Sequence, residues 1–281
     1  MVHMFKITPA YDKLLRGTPE TPAGLYQLHL MSATQLTSLH YSPGSIKLVK
    51  ARLKTLTTYG FVQSDVAPSR KMRSPFYYTL DKAGVKYLAS VGCDVSESWR
   101  SGKELHQHYL FVEHTLELND VLISALLLPR VSNYTVAEFR HEWALKRTPF
   151  KVGNLTLIPD AFVEFRVDGL RFPVMLEHDR GTEEQQYFRR RIRAYAQLLK
   201  TRGYVELFGV HQMAVVFTTF VGAQRVEQMR AWTRAELANE SRSVSALFSF
   251  ANLTRPIDPH IWLSPSWQTP FDDRHELLLV A

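Results

Sequence analysis

The chain has 281 residues, a formal net charge of +7, and 45% hydrophobic and 12% aromatic residues, which supply a sizeable core for one large domain or two ordinary ones and exclude a disordered, low-complexity chain. No run of about 18 uncharged apolar residues occurs, so no membrane-spanning helix is expected, and the N-terminal residues show no signal peptide. The single cysteine, Cys93, excludes an internal disulfide and a cysteine-based zinc site, in keeping with a cytoplasmic protein.

The charge is uneven. Residues 1–104 hold 14 Lys and Arg against 7 Asp and Glu, whereas residues 105–281 hold 20 of each. The whole excess therefore lies in the first third, a pattern that suits contact with a polyanion.

After an N-terminal extension, 1–19, a first domain is predicted over 20–92. Residues 22–31 read as a short amphipathic helix. Ser32 is placed to cap a second helix, Ala33 to Leu39, and Tyr41-Ser-Pro-Gly44 reads as a turn. Ser45 then caps a third helix, Ile46 to Tyr59. There Ile46, Val49, Leu53 and Leu56 recur on one face, as a buried stripe requires. Lys47, Lys50 and Lys54 form a second stripe on another face. Gly60 is suited to the left-handed position that ends a helix. Phe61-Val62 and Phe76 to Leu80 read as strands around a basic loop that carries Arg70, Lys71 and Arg73. Asp81 caps a last helix to about Val91. This order predicts a winged helix-turn-helix. Its third helix would enter the major groove of double-stranded DNA, and its loop would reach flanking phosphates. The candidate DNA contacts are Ser45, Lys47, Lys50, Lys54, Arg70, Lys71 and Arg73.

A linker is predicted at 93–104, a second domain at 105–255 and a C-terminal extension at 256–281. The second domain reads as a long helix to Leu128, a strand at Tyr134 to Trp143, a hairpin of 155–165 and 171–178, and a helix from Thr182. Thr182-Glu-Glu-Gln185 has capping-box spacing. A strand at Met213 to Thr219, a helix at Ala223 to Leu237 and a strand near Ala246 to Phe250 follow. On the helix after Thr182, Arg189, Arg190 and Arg193 are further candidates for nucleic-acid contact.

Asp168-Gly169, between two apolar runs, is a strong hairpin signal. With these as the central turn residues, partners across the ladder have numbers that sum to 337. Asp160 then faces Glu177, and Asp179 lies on the same face of its strand as Glu177. Three carboxylates at one end of a hairpin are expected to repel unless they hold a hard divalent cation, Mg²⁺ or Mn²⁺. Pro173 in the second strand leaves the register open, because proline cannot donate to a ladder and often marks a bulge or an edge.

Pro159-Asp160 followed by Glu177-His178-Asp179 on the next strand resembles the PD-(D/E)XK nuclease superfamily. The resemblance implies a restriction-endonuclease-like αβββαβ domain, with an α+β or α/β fold overall. It also implies Asp160 and Glu177 as metal-binding and catalytic residues, to which the hairpin register adds Asp179. Asp179 stands where the superfamily has a lysine, which leaves Arg180 or an arginine of the next helix to supply positive charge.

Further pieces resemble the plasmid replication-relaxation protein family. They are Gln35-Leu36, Arg52-Leu-Lys-Thr-Leu56, Tyr78-Thr-Leu-Asp-Lys-Ala-Gly84, His114-Thr-Leu-Glu-Leu-Asn-Asp120, Pro159-Asp-Ala161, Glu177 to Glu183, and Arg193-Ala-Tyr195. The resemblance implies a DNA-binding protein of a plasmid or mobile element, acting in replication or DNA relaxation or their control. Candidate partners are duplex DNA, replication or mobile-element proteins and a second copy of the chain. Two other functions remain open at this point. One is an active Mg²⁺-dependent nuclease or nickase, and the other a non-catalytic transcriptional regulator.

Overall fold

A computed structural model describes residues 20–66, 76–93, 95, 109–273, 275–276 and 278–279. The chain divides into two compact units, Met1–Asn119 and Asp120–Ala281.

In the first unit, α1 (Glu20–Leu28) stops because His29 adopts a left-handed backbone, φ 69°. The next residues are extended: β1 (Leu30–Ser32) pairs with β3 (Phe76–Leu80), whereas the sequence reads as helix to residue 31. The Ser32 cap is present as a full capping box. Gln35 N donates to Ser32 Oγ at 3.2 Å, and Ser32 N donates to Gln35 Oε1 at 2.9 Å. It opens α2 (Ala33–His40).

The helix α3 (Ile46–Thr58) buries Val49, Leu53 and Leu56 and leaves Lys47, Lys50 and Lys54 exposed. Ser45 stands at its N-cap without a side-chain cap bond, contrary to expectation. Gly60, at φ 70°, ends it as anticipated. β2 (Val62–Val66) pairs antiparallel with β3, giving a sheet of order β1-β3-β2. The expected loop cations Arg70, Lys71 and Arg73 lie outside the described residues. Asp81 Oδ1 accepts from Lys82 N at 2.6 Å at the start of α4 (Lys82–Ser90).

The long helix α5 (Tyr109–Leu127) carries the division between the units, inside what reads as the second domain. Its first half is tied into the first unit by buried polar bonds. Asn119 Nδ2 donates to the carbonyls of Leu28 and Leu30, at 2.9 and 2.6 Å, and Gln35 Nε2 donates to Leu116 O at 2.6 Å.

The second unit is built on a mixed seven-stranded sheet of order β12-β11-β10-β9-β8-β7-β4. Its strands are β4 (Thr135–His141), β7 (Ala161–Val167), β8 (Leu170–Asp179), β9 (Ala214–Thr219), β10 (Phe248–Asn252), β11 (Trp267–Gln268) and β12 (His275–Glu276). β4, β7 and β8 run antiparallel, β8, β9 and β10 parallel, and the last two strands antiparallel again. Within the expected C-terminal extension, β11 and β12 continue the sheet, and Trp262 and Trp267 are fully buried.

One face of the sheet packs under α7 (Gln185–Lys200) and α9 (Ala223–Glu236), around Phe162, Met175, Phe188, Ile192, Phe217 and Phe250. On the opposite face the Phe165 ring lies 5.1 Å from that of Trp262, whose Nε1 donates to Ser124 of α5 at 3.0 Å.

Three local expectations change. The helical turn α6 (Glu142–Leu145) ends the strand expected to run to Trp143. Residues 155–165 are not one strand, because β5 (Phe150–Val152) and β6 (Leu155–Leu157) form their own hairpin and the main strand begins after Pro159-Asp160. No Thr182 capping box forms. α7 begins at Gln185 with Glu184 at its N-cap, and Glu183 turns instead to Arg191. Between α7 and β9 lies α8 (Gly203–Phe208), and α10 (Arg242–Ser245) precedes β10. Among the described residues, no helix is long and apolar enough to cross a membrane.

Candidate functional site

The hairpin β7–β8 fixes the site. Asp168 and Gly169 sit at φ 47° and 80°, the left-handed values a two-residue hairpin turn demands. Pairing runs unbroken from Val167↔Leu170 to Ala161↔Leu176, each pair summing to 337, so Pro173 causes no bulge. Alternation from the turn makes Glu164↔Pro173 a pair that exchanges no backbone hydrogen bonds. The proline nitrogen then faces β9, where pairing starts only at Val174↔Ala214.

Asp160 arrives opposite the Glu177 segment, as the register requires, and its Oδ2 accepts from His178 N at 2.8 Å. Glu177 is buried beneath α7. Its Oε1 accepts from the Tyr195 hydroxyl at 2.5 Å and its Oε2 from Arg191 Nη1 at 2.7 Å. Burial pushes the Glu177 carboxyl up to about 8, against the lowering pull of Arg191, and the nearby Asp160 pushes the same way. Arg191 also holds Glu183 at 2.8 Å. Burial raises the Glu183 carboxyl too.

Asp179 lies on the same face of β8 but has its own partners. Arg225, from α9, grips it with Nε 2.6 Å from Oδ1 and Nη2 2.8 Å from Oδ2, and Gly181 N donates to Oδ1 at 2.7 Å. Arg225 is itself buried, 7% exposed. It bonds Gln228 and the Glu183 carbonyl, and lies 4.9 Å from the Trp232 ring. Both partners of this ion pair are therefore desolvated and geometrically matched.

The three acids expected to share one metal centre thus have different partners. Among the described residues, no group of three or more His, Cys, Asp or Glu is arranged to hold a metal ion. Asp179 is engaged by Arg225, and Glu177 by Arg191 and Tyr195. Arg180, the other expected catalytic residue, is half-buried just past the end of β8.

The arginines of α7 separate. Arg189 and Arg193 both pair with Glu236 of α9, the latter at 2.9 Å. Arg190 is exposed, its guanidinium 5.7 Å from the Tyr187 ring centroid. On the other face of β8, His178 Nδ1 lies 3.0 Å from Thr218 Oγ1, and the ring packs 5.1 Å from Phe220. Sequence reasoning placed Tyr195 on the buried face of its helix with Phe188, Ile192 and Leu199, and counted Arg191 among the arginines able to supply positive charge beside the acids; it did not single out Arg225.

Residues 23–214 match the family described as replication-relaxation. No curated protein matches the chain. Among solved structures, restriction endonuclease FokI aligns over 89% of this chain and 43% of its own, at 11% identity and a TM-score of 0.29. The chain thus spans less than half of that enzyme's length, and a superposition so loose carries no argument about fold or activity.

Proposed function

The chain belongs to the replication-relaxation family, and on that premise we propose that it is a DNA-binding protein acting in replication or DNA relaxation on a plasmid or other mobile element. We read the first unit as a winged helix-turn-helix, with α3 as the helix that enters the major groove. The second unit is read as a restriction-endonuclease-like domain that assists binding without cutting. The observation that carries the reading is the lysine stripe. Lys47, Lys50 and Lys54 lie on an exposed face of α3, apart from its buried Val49, Leu53 and Leu56. Three cations on one exposed helix face suit contact with backbone phosphates. Ser45, at the entrance of α3, stands beside this face.

The non-cutting role rests on the arginine-held acids. A metal-dependent nuclease would need Asp179 released from Arg225 and Glu177 ionised, and both changes run against the site as built. The register that sets Asp160 against Glu177 is what favours the nuclease reading, so cleavage is the alternative to test directly. The deciding experiment for binding is a gel-shift salt series on duplex DNA with the full chain and with Lys47→Ala, Lys50→Ala and Lys54→Ala combined. Equal affinity and equal salt dependence for the two proteins would remove the assignment of α3.

A further inference from the structure

The second unit has an open pocket of about 390 Å³ between β6 and α7, next to Glu177. Its size falls within the range of small-ligand sites, roughly 300–1,000 Å³. The rim carries two large side chains turned to solvent, Tyr187 at 51% exposure and Ile158 at 43%. Arg190, one helical turn from Tyr187, is exposed over its ring. The floor is polar and buried: Glu177 and Tyr195 are 2% and 1% exposed, and Arg191 lies between Glu177 and Glu183.

We propose that this pocket receives one unstacked nucleotide of single-stranded DNA, the base against Tyr187 and Ile158 and the phosphate on Arg190. An exposed aromatic face accepts any base, because every base has a π surface, and an adjacent guanidinium adds both charge and stacking. A flat apolar rim with one cation over a floor of donors and acceptors suits a base joined to an anion. A bare anion would not use the ring, and a plain aromatic would not use the arginine. In duplex DNA the bases are already stacked on each other, so the pocket selects unpaired nucleotides, which replication and relaxation both expose. The proposal rests on the nucleic-acid reading above, but on none of its lysines.

The test is fluorescence anisotropy of a labelled thymidine tetranucleotide with the full chain at low salt. Unlabelled dTMP, thymidine and inorganic phosphate serve as competitors. Tyr187→Ala should weaken binding about tenfold, the size of a lost base–aromatic stack, while Tyr187→Phe keeps it. Arg190→Gln should abolish the advantage of dTMP over thymidine. Combined replacement of Lys47, Lys50 and Lys54 should leave tetranucleotide binding intact while duplex binding falls, which separates this proposal from the role of α3. Duplex binding by Tyr187→Ala reports that the variant is folded. The proposal is overturned if Tyr187→Ala binds the tetranucleotide as the wild type does. It is also overturned if phosphate competes as well as dTMP, or if the lysine variant loses tetranucleotide binding.

Discussion

Arg225 holds Asp179 through two parallel bonds, Nε to Oδ1 at 2.6 Å and Nη2 to Oδ2 at 2.8 Å, and both residues are buried. The geometry is the fork-on-carboxylate match that makes arginine pairs strong. It also decides what the third site position does. Where a nuclease would place a cation beside phosphate, this chain places an acid and supplies the cation from another helix, facing inward.

Breaking one side of a buried pair leaves an uncompensated charge, which costs about 3–5 kcal/mol. Asp179→Ala is therefore expected to destabilise the second unit by that amount, measured by urea unfolding. Trp232 lies 4.9 Å from the Arg225 guanidinium and should report the transition by fluorescence. Replacing both partners by apolar residues, Asp179→Leu with Arg225→Met, should restore most of the loss, because no charge is then left unpaired. A double variant as unstable as Asp179→Ala would show that the pair does more than satisfy itself.

Glu177 gives the fold a pH dependence of known sign. Its carboxyl sits at about 8 in the folded chain, against an ordinary value of 4.5, with burial as the main cause. The fold thus favours the protonated form. That contribution is fully present below about pH 4.5 and is lost as pH rises through 8. Glu177→Gln fixes a neutral side chain of the same shape. It should match the wild type in stability near pH 5 and exceed it near pH 8.5. Thermal melts that stay parallel for the two proteins across this range would contradict the buried-acid account.

The lysine stripe makes a quantitative statement about salt. Each phosphate neutralised contributes a slope of about 0.9 to the fall of log affinity with log salt. Removing Lys47, Lys50 and Lys54 should therefore reduce the slope on duplex DNA by about 2–3 and weaken binding evenly across sequences. A reduction confined to one DNA sequence would instead mark these residues as base readers.

Committed carboxylates imply indifference to divalent metal. Supercoiled plasmid incubated with the protein and Mg²⁺ or Mn²⁺ should stay supercoiled, and chelation by EDTA should leave duplex affinity unchanged. Nicked or linear product that disappears with Asp160→Ala would reverse this, and would mean that Asp179 leaves Arg225 when DNA binds.

The parts of this site that the sequence made legible are those set by local chemistry. Asp168-Gly169 dictates a tight turn, a tight turn dictates register, and register carries Asp160 to Glu177 eight pairs away. The exposed lysines of α3 followed equally from helical period. What was hidden depends on distant chain or on weak local signals. Arg225 lies 46 residues beyond Asp179, and nothing near either residue marks the pairing. β1 is three residues long, and the left-handed His29 before it is neither glycine nor asparagine, so the helix gives no warning that it stops. The arginine run of α7 showed its charges but not their directions. Two of its three nominated residues turn to Glu236 and one stays with solvent.

Gly84 sets a limit on the first unit. It lies in the first turn of α4, fully packed, and a Cβ there would stand 2.3 Å from the Phe61 carbonyl oxygen and 2.6 Å from Leu80 Cδ1. That same carbonyl accepts from Asp81 N at 3.0 Å, so it cannot move without loosening the start of α4. Neither Gly84's helical geometry nor its φ demands glycine, and the close approach of backbone does. Gly84→Ala should cost about 1–3 kcal/mol through overpacking. Because Phe61 leads directly from α3 into β2, the strain falls next to the helix proposed to grip DNA. Lower thermal stability should therefore appear together with weaker duplex binding near the melting temperature and normal binding well below it. Full stability in Gly84→Ala would mean that α4 is free to shift away from Phe61, and that the position of α3 does not depend on this contact.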